Sequence, residues 1–321
     1  MERLALLPVE AVEVTVLVDN FVDMLLPPDG VARRPALGAG ALAPDHAHLR
    51  AEHGLSLLVE VERGGERATL LYDAGLGRDT ALHNMDVLGV GLGDLRAVVL
   101  SHGHSDHHGW LEGMVRRAGR AGLPLVLHPE AWRERRVVFA GGGELRLPPP
   151  SRGDLEREGV AIGEERSASL LIDGAVLVTG EVERVTPFER GLPGGEARLG
   201  GSWEPDPWIH DDQAMVVHVA GCGLVVLSGC SHAGAINVLR QAQRLTGVER
   251  IHALVGGMHL SGPAFEPLIG PTMDELAAIG PDWLAPGHCT GWRATHEIAS
   301  RMPGAFVKTA VGTRLRFAGG A

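Results

Sequence analysis

The apolar run Leu95–Leu100, LRAVVL, leads without a break into SHGHSDHHGW, residues 101–110, which holds four histidines and an aspartate. An apolar run of this length, bounded by polar residues, reads as a buried strand. The cluster therefore sits where a strand leaves a hydrophobic core. The arrangement recurs: Cys230 and His232 follow GLVVLS, His259 follows IHALVGGM, and His288 follows DWLAPG. In sheets built from strand–helix units, functional groups gather at the carboxyl ends of the strands. Four strand ends would then deliver imidazole, carboxylate and thiol to one rim.

Other segments fit the same plan. VEVTVLVDN, residues 12–20, predicts an opening strand, and GLSLLVEVERGGERATLLYDAG, residues 54–75, predicts two strands joined by a Gly-Gly hairpin turn. Helix-like segments follow the later runs. A chain of 321 residues, 45% of them hydrophobic, can bury a sizeable core. No low-complexity tract or repeat divides it, so residues 1–321 are expected to form a single α/β domain. Two stretches rich in Gly, Pro and charge, near 140–160 and 190–212, predict long surface loops of the kind that form lids or binding loops. Trp203 and Trp208 in the second, and His128 after LPLVL, are candidates for a substrate pocket.

Composition narrows the function classes. A formal net charge of -11, with arginines scattered, argues against nucleic acid as a partner. The three cysteines, Cys222, Cys230 and Cys289, are too few for a disulfide framework and fit a reducing compartment. Acidic residues interrupt MERLALLPVEAVEVTV, and nowhere do eighteen uncharged apolar residues run together. The expectation is a cytoplasmic protein without a membrane partner, acting on a small molecule.

Imidazoles and a carboxylate in the spacing H-x-H-x-D-H suit zinc, and also iron or manganese. His102 and His104, two apart in an extended turn, can face one ion, while Asp106 and His107 can turn toward a second. His232 and His288 follow strands in the same way. Cys230 and His259 are candidates for ligands or for groups that support ligands.

At these residues the sequence resembles the metallo-β-lactamase superfamily, whose signature loop appears here as HGHSDH. LLYDAG, LVVLSGCSH and LAPGHCTG resemble its other motifs. EHGLS, TGEVERVTPFE, DDQAM, GCSHAGAIN, GGMHL and GHCTG resemble the subgroup of metal-dependent hydrolases that includes 7,8-dihydropterin-6-methyl-4-(β-D-ribofuranosyl)aminobenzene 5′-phosphate synthase. The resemblance implies a four-layer αββα sandwich, two mixed sheets face to face with helices outside and two divalent metal ions at one edge. It implies His102 and His104 at the first metal and Asp106, His107 and His288 at the second. The third ligand of the first metal departs from the usual pattern, because the GHT turn of relatives is missing. His232 is the preferred replacement and His210 its competitor. Cys230 stands where relatives carry a bridging Asp.

Two such metals, most readily Zn2+ with Mn2+ or Fe2+ as alternatives, would acidify a shared water and provide hydroxide for attack on a small ester, lactone or phosphoester. Asp106 is then both ligand and proton acceptor, and Asp73 orients a ligand imidazole. Helix starts near SHAGAIN and GHCTGW favour an anionic substrate group. The rival readings are a synthase-like enzyme, an iron-dependent oxidoreductase, or a metal-binding protein of the same fold without turnover.

Overall fold

The computed structural model describes residues 3–36, 43 and 46–319. In chain order the first strands are β1 (Ala11–Val18), β2 (Ala32–Arg33), β3 (Ser56–Arg63), β4 (Glu66–Tyr72), β5 (Leu95–Val99) and β6 (Pro124–Leu127). Then come β7 (Arg135–Val138), β8 (Glu144–Leu147), β9 (Ala161–Glu164), β10 (Ser169–Leu171), β11 (Val176–Val178), β12 (Gly195–Leu199) and β13 (Ser202–Pro205). The last are β14 (Ala214–Val219), β15 (Gly223–Ser228), β16 (Ile251–Gly256), β17 (Trp283–Pro286) and β18 (Arg314–Ala318). The helices are α1 (Thr80–Leu88), α2 (Ser105–His108), α3 (Leu111–Ala118), α4 (Arg152–Arg157), α5 (Ala235–Thr246), α6 (Ile269–Ile279) and α7 (Gly291–Arg301).

Two mixed sheets carry the fold. One has the order β2-β18-β1-β3-β4-β5-β6-β9, the other β10-β11-β14-β15-β16-β17. Each has an antiparallel half and a parallel half: β4, β5, β6 and β9 run parallel in the first, β15, β16 and β17 in the second. Parallel neighbours need long crossovers, and the helices supply them. The hairpin between β3 and β4 turns at Gly64 and Gly65, at φ of 60° and 77°, where a side chain would be strained.

The alternation of side chains along each strand divides the core into three layers. Val14, Val59, Leu70 and Tyr72 of the first sheet meet Val178, Met215, Val217 and Leu227 of the second. On the outer face of the second sheet, Val216, Val226 and Leu254 pack against Ile236, Leu239, Met273 and Ile298 of α5, α6 and α7. On the outer face of the first, Leu71, Val98 and Leu125 pack against Met85 of α1, Met114 of α3 and Leu155 of α4. Central strands buried on both sides explain why their sequences are continuous apolar runs. The layers are αββα, as the resemblance implied. Among the described residues no helix is long and apolar enough to cross a membrane.

The segments predicted as long loops differ. They contribute a third, four-stranded antiparallel sheet of order β13-β12-β7-β8. Its strands alternate: Glu144, Arg146, Arg136 and Glu196 carry charge on one side, Val137, Leu145 and Leu147 apolar groups on the other. Arg136 bridges Glu196 (2.7 Å) and Glu144 (2.6 Å) across the strands. β7 and β12 lie far apart in the sequence, so neither segment shows its partner, and strands of four or five residues give too short a period to recognise.

Truncating Leu227, fully buried between the two large sheets, to Ala is expected to lower the unfolding free energy by about 2–5 kcal/mol. Denaturant titration measures it, and a loss under about 1 kcal/mol would mean that this interface is loosely packed.

Candidate metal centre

The carboxyl ends of β4, β5, β15, β16 and β17 converge on one edge of the sandwich. β5 ends in the loop that carries His102 and His104 into the short helix α2, which carries Asp106 and His107. β15 ends in Cys230 and His232, β16 in His259 and β17 in His288. Seven non-glycine residues have positive φ among the described residues, and Asp73, Ser231, His259 and His288 at this edge are four of them. Such conformations cost of order 1–3 kcal/mol each and persist where surrounding structure over-determines them. The backbone is bent here to aim side chains.

The side chains form two adjoining sets. In the first, ligand atoms of His102, His104 and His232 lie within 4.8 Å of one another, and all three residues are buried. In the second, Asp106 Oδ2 lies 3.3 Å from His288 Nε2 and 3.9 Å from His107 Nε2. Cys230 joins the two, its Sγ 3.2 Å from His107 Nε2 and within 4.8 Å of a His102 nitrogen. Nε2 of His102, His104 and His288 and both ring nitrogens of His232 are buried without a hydrogen-bond partner. Buried polar atoms are otherwise almost always satisfied. Convergent ring nitrogens left unpaired fit a bound metal cation.

Asp73 arranges much of this. Its Oδ1 accepts the Ser101 N–H at 2.7 Å, and its Oδ2 accepts the Ser101 hydroxyl at 2.7 Å and His107 Nδ1–H at 2.6 Å. With that hydroxyl donating to Asp73, His102 Nδ1, 2.9 Å away, donates to it. His288 Nδ1 lies 3.1 Å from Asn20 Oδ1, which accepts its proton. Each of the three imidazoles thereby donates through Nδ1 and turns Nε2 toward the cluster. Gly229 completes the fit, because a Cβ there would lie 2.2 Å from Ser101 Oγ.

Electrostatics separates the sets. Burial pushes His102 and His232 well below the ordinary histidine value, and burial together with the charge of Arg135 takes His104 to about 3. These rings are neutral, as metal ligation requires. At His107 burial works the same way, but the Asp73 and Asp106 carboxylates outweigh it and raise the group to about 9. Burial also opposes ionisation of Asp106, yet the charges of His107 and His288 hold it well below the usual carboxylate range. This half of the site calls for positive charge.

The structure settles where several sequence candidates lie. His232, and not His210, stands beside His102 and His104; His210 lines a separate cavity with Arg166, Glu181 and Arg184. His259 packs against His232 with ring centroids 4.3 Å apart and the planes tilted by 48°, and its Nδ1 is unpaired. His128 does not reach the cavity above the cluster: it accepts the Glu130 N–H and meets Glu181 at 3.0 Å, tying down the turn after β6. Nor do the tryptophans, for Trp203 lies under Arg136 (4.5 Å) and Trp208 beside Arg184 (5.6 Å). The start of α5 is also closed to a substrate anion, because the Glu189 carboxylate already accepts Ile236 and Asn237 N–H at 2.9 Å.

Other residues enter that the sequence reading passed over. Cys289 Sγ lies 3.2 Å from Cys230 Sγ, both buried. Exposed His53 lies 3.5 Å from Asp106 Oδ2. Buried Arg135 pairs with Asp206 (2.9 Å) and Asp211 (2.7 Å), and Asp211 accepts the Gly103 N–H at 2.7 Å. A buried arginine from the small sheet thus holds the backbone between His102 and His104. DDQAM and EHGLS contain Asp211 and His53, but a lone charged residue gives no sign in sequence of what it faces.

The profile of the metallo-beta-lactamase superfamily matches residues 49–217. Over 286 residues the chain is 27% identical to the 7,8-dihydropterin-6-methyl-4-(beta-D-ribofuranosyl)-aminobenzene-5′-phosphate synthase of Methanocaldococcus jannaschii, covering 86% of this chain and 95% of that one. It is 26% identical over 250 residues to an uncharacterized protein of the same organism, covering 78% and 88%. Among solved structures, a metal-dependent hydrolase of the beta-lactamase superfamily aligns over 96% of this chain and 100% of its own, with a TM-score of 0.71 at 23% identity. That likeness is one of fold.

Asn preserves the shape of Asp73 and tolerates its φ of 62°, but it offers one acceptor oxygen in place of two. Asp73→Asn is expected to weaken metal affinity about 10–100-fold in competition with a chelator. Unchanged affinity would remove Asp73 from this role.

Proposed function

Because the chain belongs to the metallo-β-lactamase superfamily, we propose that it is a metal-dependent hydrolase of a small ester, lactone or phosphoester. The observation that carries this reading is the convergence of unpaired, buried ring nitrogens on the floor of a cavity of about 830 Å³, which His104, Asp106, His232 and His259 help to line. His102, His104 and His232 would hold one divalent ion, and Asp106, His107 and His288 a second, with Cys230 between them. Nitrogen, thiolate and carboxylate donors together suit zinc best. Bound there, the ions supply Lewis acidity toward a carbonyl or phosphoryl oxygen and a water acidified toward neutrality.

The chain's own groups do the rest. Asp106, kept ionised by its neighbours, would take a proton only in passing during product release and hand it to exposed His53, 3.5 Å away, at the edge of solvent. Asp73 and Asn20 hold imidazoles through Nδ1, which turns Nε2 toward the cluster. A synthase-like activity is the second reading, favoured by the 27% identity across most of the chain. Its relative is named for a 5′-phosphate, whereas among the described residues no Lys or Arg lines this cavity.

Metal content by inductively coupled plasma mass spectrometry tests the proposal. About two equivalents of zinc or manganese per chain are expected. One equivalent of iron with no second metal would shift the reading to redox chemistry, and no metal under any loading condition would overturn it. His104→Ala and His232→Ala should each lose metal and activity together while the fold survives, whereas His210→Ala should keep both. Full metal retention in His104→Ala would sink the assignment.

A further inference from the structure

The cavity over the histidine cluster has a composition that a phosphate site would not have. One wall is the β7–β8 hairpin, which presents Val138, Phe139 and Leu145 at 39%, 51% and 51% exposure. Facing side chains include Leu192, Pro193 and Phe265, and the Phe265 ring meets His259 edge-on with centroids 4.5 Å apart. Apolar groups gathered at a concave surface, left in water at a cost, mark a binding site.

Charge points the same way. Among the described residues that line it the carboxylates are Asp106 and Glu196, and Arg136 already neutralises Glu196 at 2.7 Å. No Lys or Arg is among these described residues. A phosphomonoester brings two negative charges and three oxygens, and beyond the metal ions it would meet imidazole, carboxylate, hydroxyl and hydrocarbon but, among the described residues, no guanidinium or ammonium group. The start of α5 is occupied by Glu189.

We infer that the substrate is a carboxylic ester or lactone with an uncharged, apolar acyl or aryl substituent, which the β7–β8 hairpin holds over the metal ligands. The inference rests on the hydrolase reading for the reaction, but the apolar wall can be tested without it. Hydrolysis adds water across the acyl–oxygen bond; the acyl carbon keeps the new oxygen, and the alcohol leaves with a proton.

The test uses the zinc-loaded full chain and p-nitrophenyl esters from acetate to octanoate, with p-nitrophenyl phosphate as comparator. kcat/KM is expected to rise about two- to fourfold per methylene until the cavity is filled, the worth of one buried methylene. Leu145→Asp, at a half-exposed position that folding tolerates, should flatten that rise at unchanged metal content, and Phe139→Asp should do the same. In parallel, NMR titration should show octanamide binding more tightly than acetamide, with the difference reduced in Leu145→Asp. A flat ester series overturns the inference, as does a kcat/KM for the phosphate above that for the octanoate. If no ester is hydrolysed while octanamide still binds preferentially, the hydrolase reading falls and the apolar site stands. If octanamide shows no preference either, both fall.

Discussion

Asp73 is a fully buried carboxylate whose partners all belong to the loop after β5. A buried charge is tolerated only when its acceptors are filled, and this one is filled by a backbone N–H, a hydroxyl and an imidazole. The consequence reaches beyond its own satisfaction. Ser101 is fixed by it, Ser101 fixes His102, and His107 is fixed directly. Two imidazoles from different parts of one loop acquire their tautomers from a single carboxylate at the end of the neighbouring strand. The left-handed backbone at Asp73 is the local strain this requires.

The rest of the centre depends on the two sheets meeting at the right depth. The first sheet brings Asp73 and the H-x-H-x-D-H loop, the second brings Cys230, His232, His259 and His288. Neither half holds the whole cluster. The close approach of Gly229 to Ser101 and the bond from Tyr72 hydroxyl to Gln213 carbonyl, 2.9 Å long, set the sheets against each other near the site. Core packing is therefore what positions the centre: a shift between the sheets would part His232 from His102 and His104 before any ligand was altered.

The small third sheet does two things at once. Through Arg135 and Asp211 it braces the backbone at Gly103, and through Val137, Val138 and Leu145 it roofs the cavity. A buried guanidinium between two carboxylates is costly to assemble and costlier to break, so the sheet is bound firmly to the metal loop at one end. At its tip its apolar residues stay in water. Rigidity and exposed hydrocarbon meet on one strand, β7: Arg135 at its start is tied to Asp206 and Asp211, while Val137 and Val138 at its end line the cavity.

The sequence by itself determined the layered fold and most of the residues that gather in the cluster, because continuous apolar runs mark strands buried on both faces and each run ends in its polar cluster residues. Periodicity and strand ends are local properties, and HGHSDH, GCSH and GHCTG display them within a few residues. The choice of His232 over His210 was not local: both follow or precede strands, and only the stacking of the second sheet on the first brings one of them to His102 and His104. The same holds for Cys289, His53, Arg135 and the strands in segments read as loops, whose partners are dozens of residues away. Tertiary structure also replaced the pocket expected around Trp203 and Trp208 with an apolar one, since which face of a short strand meets a cavity is decided by the strand it pairs with.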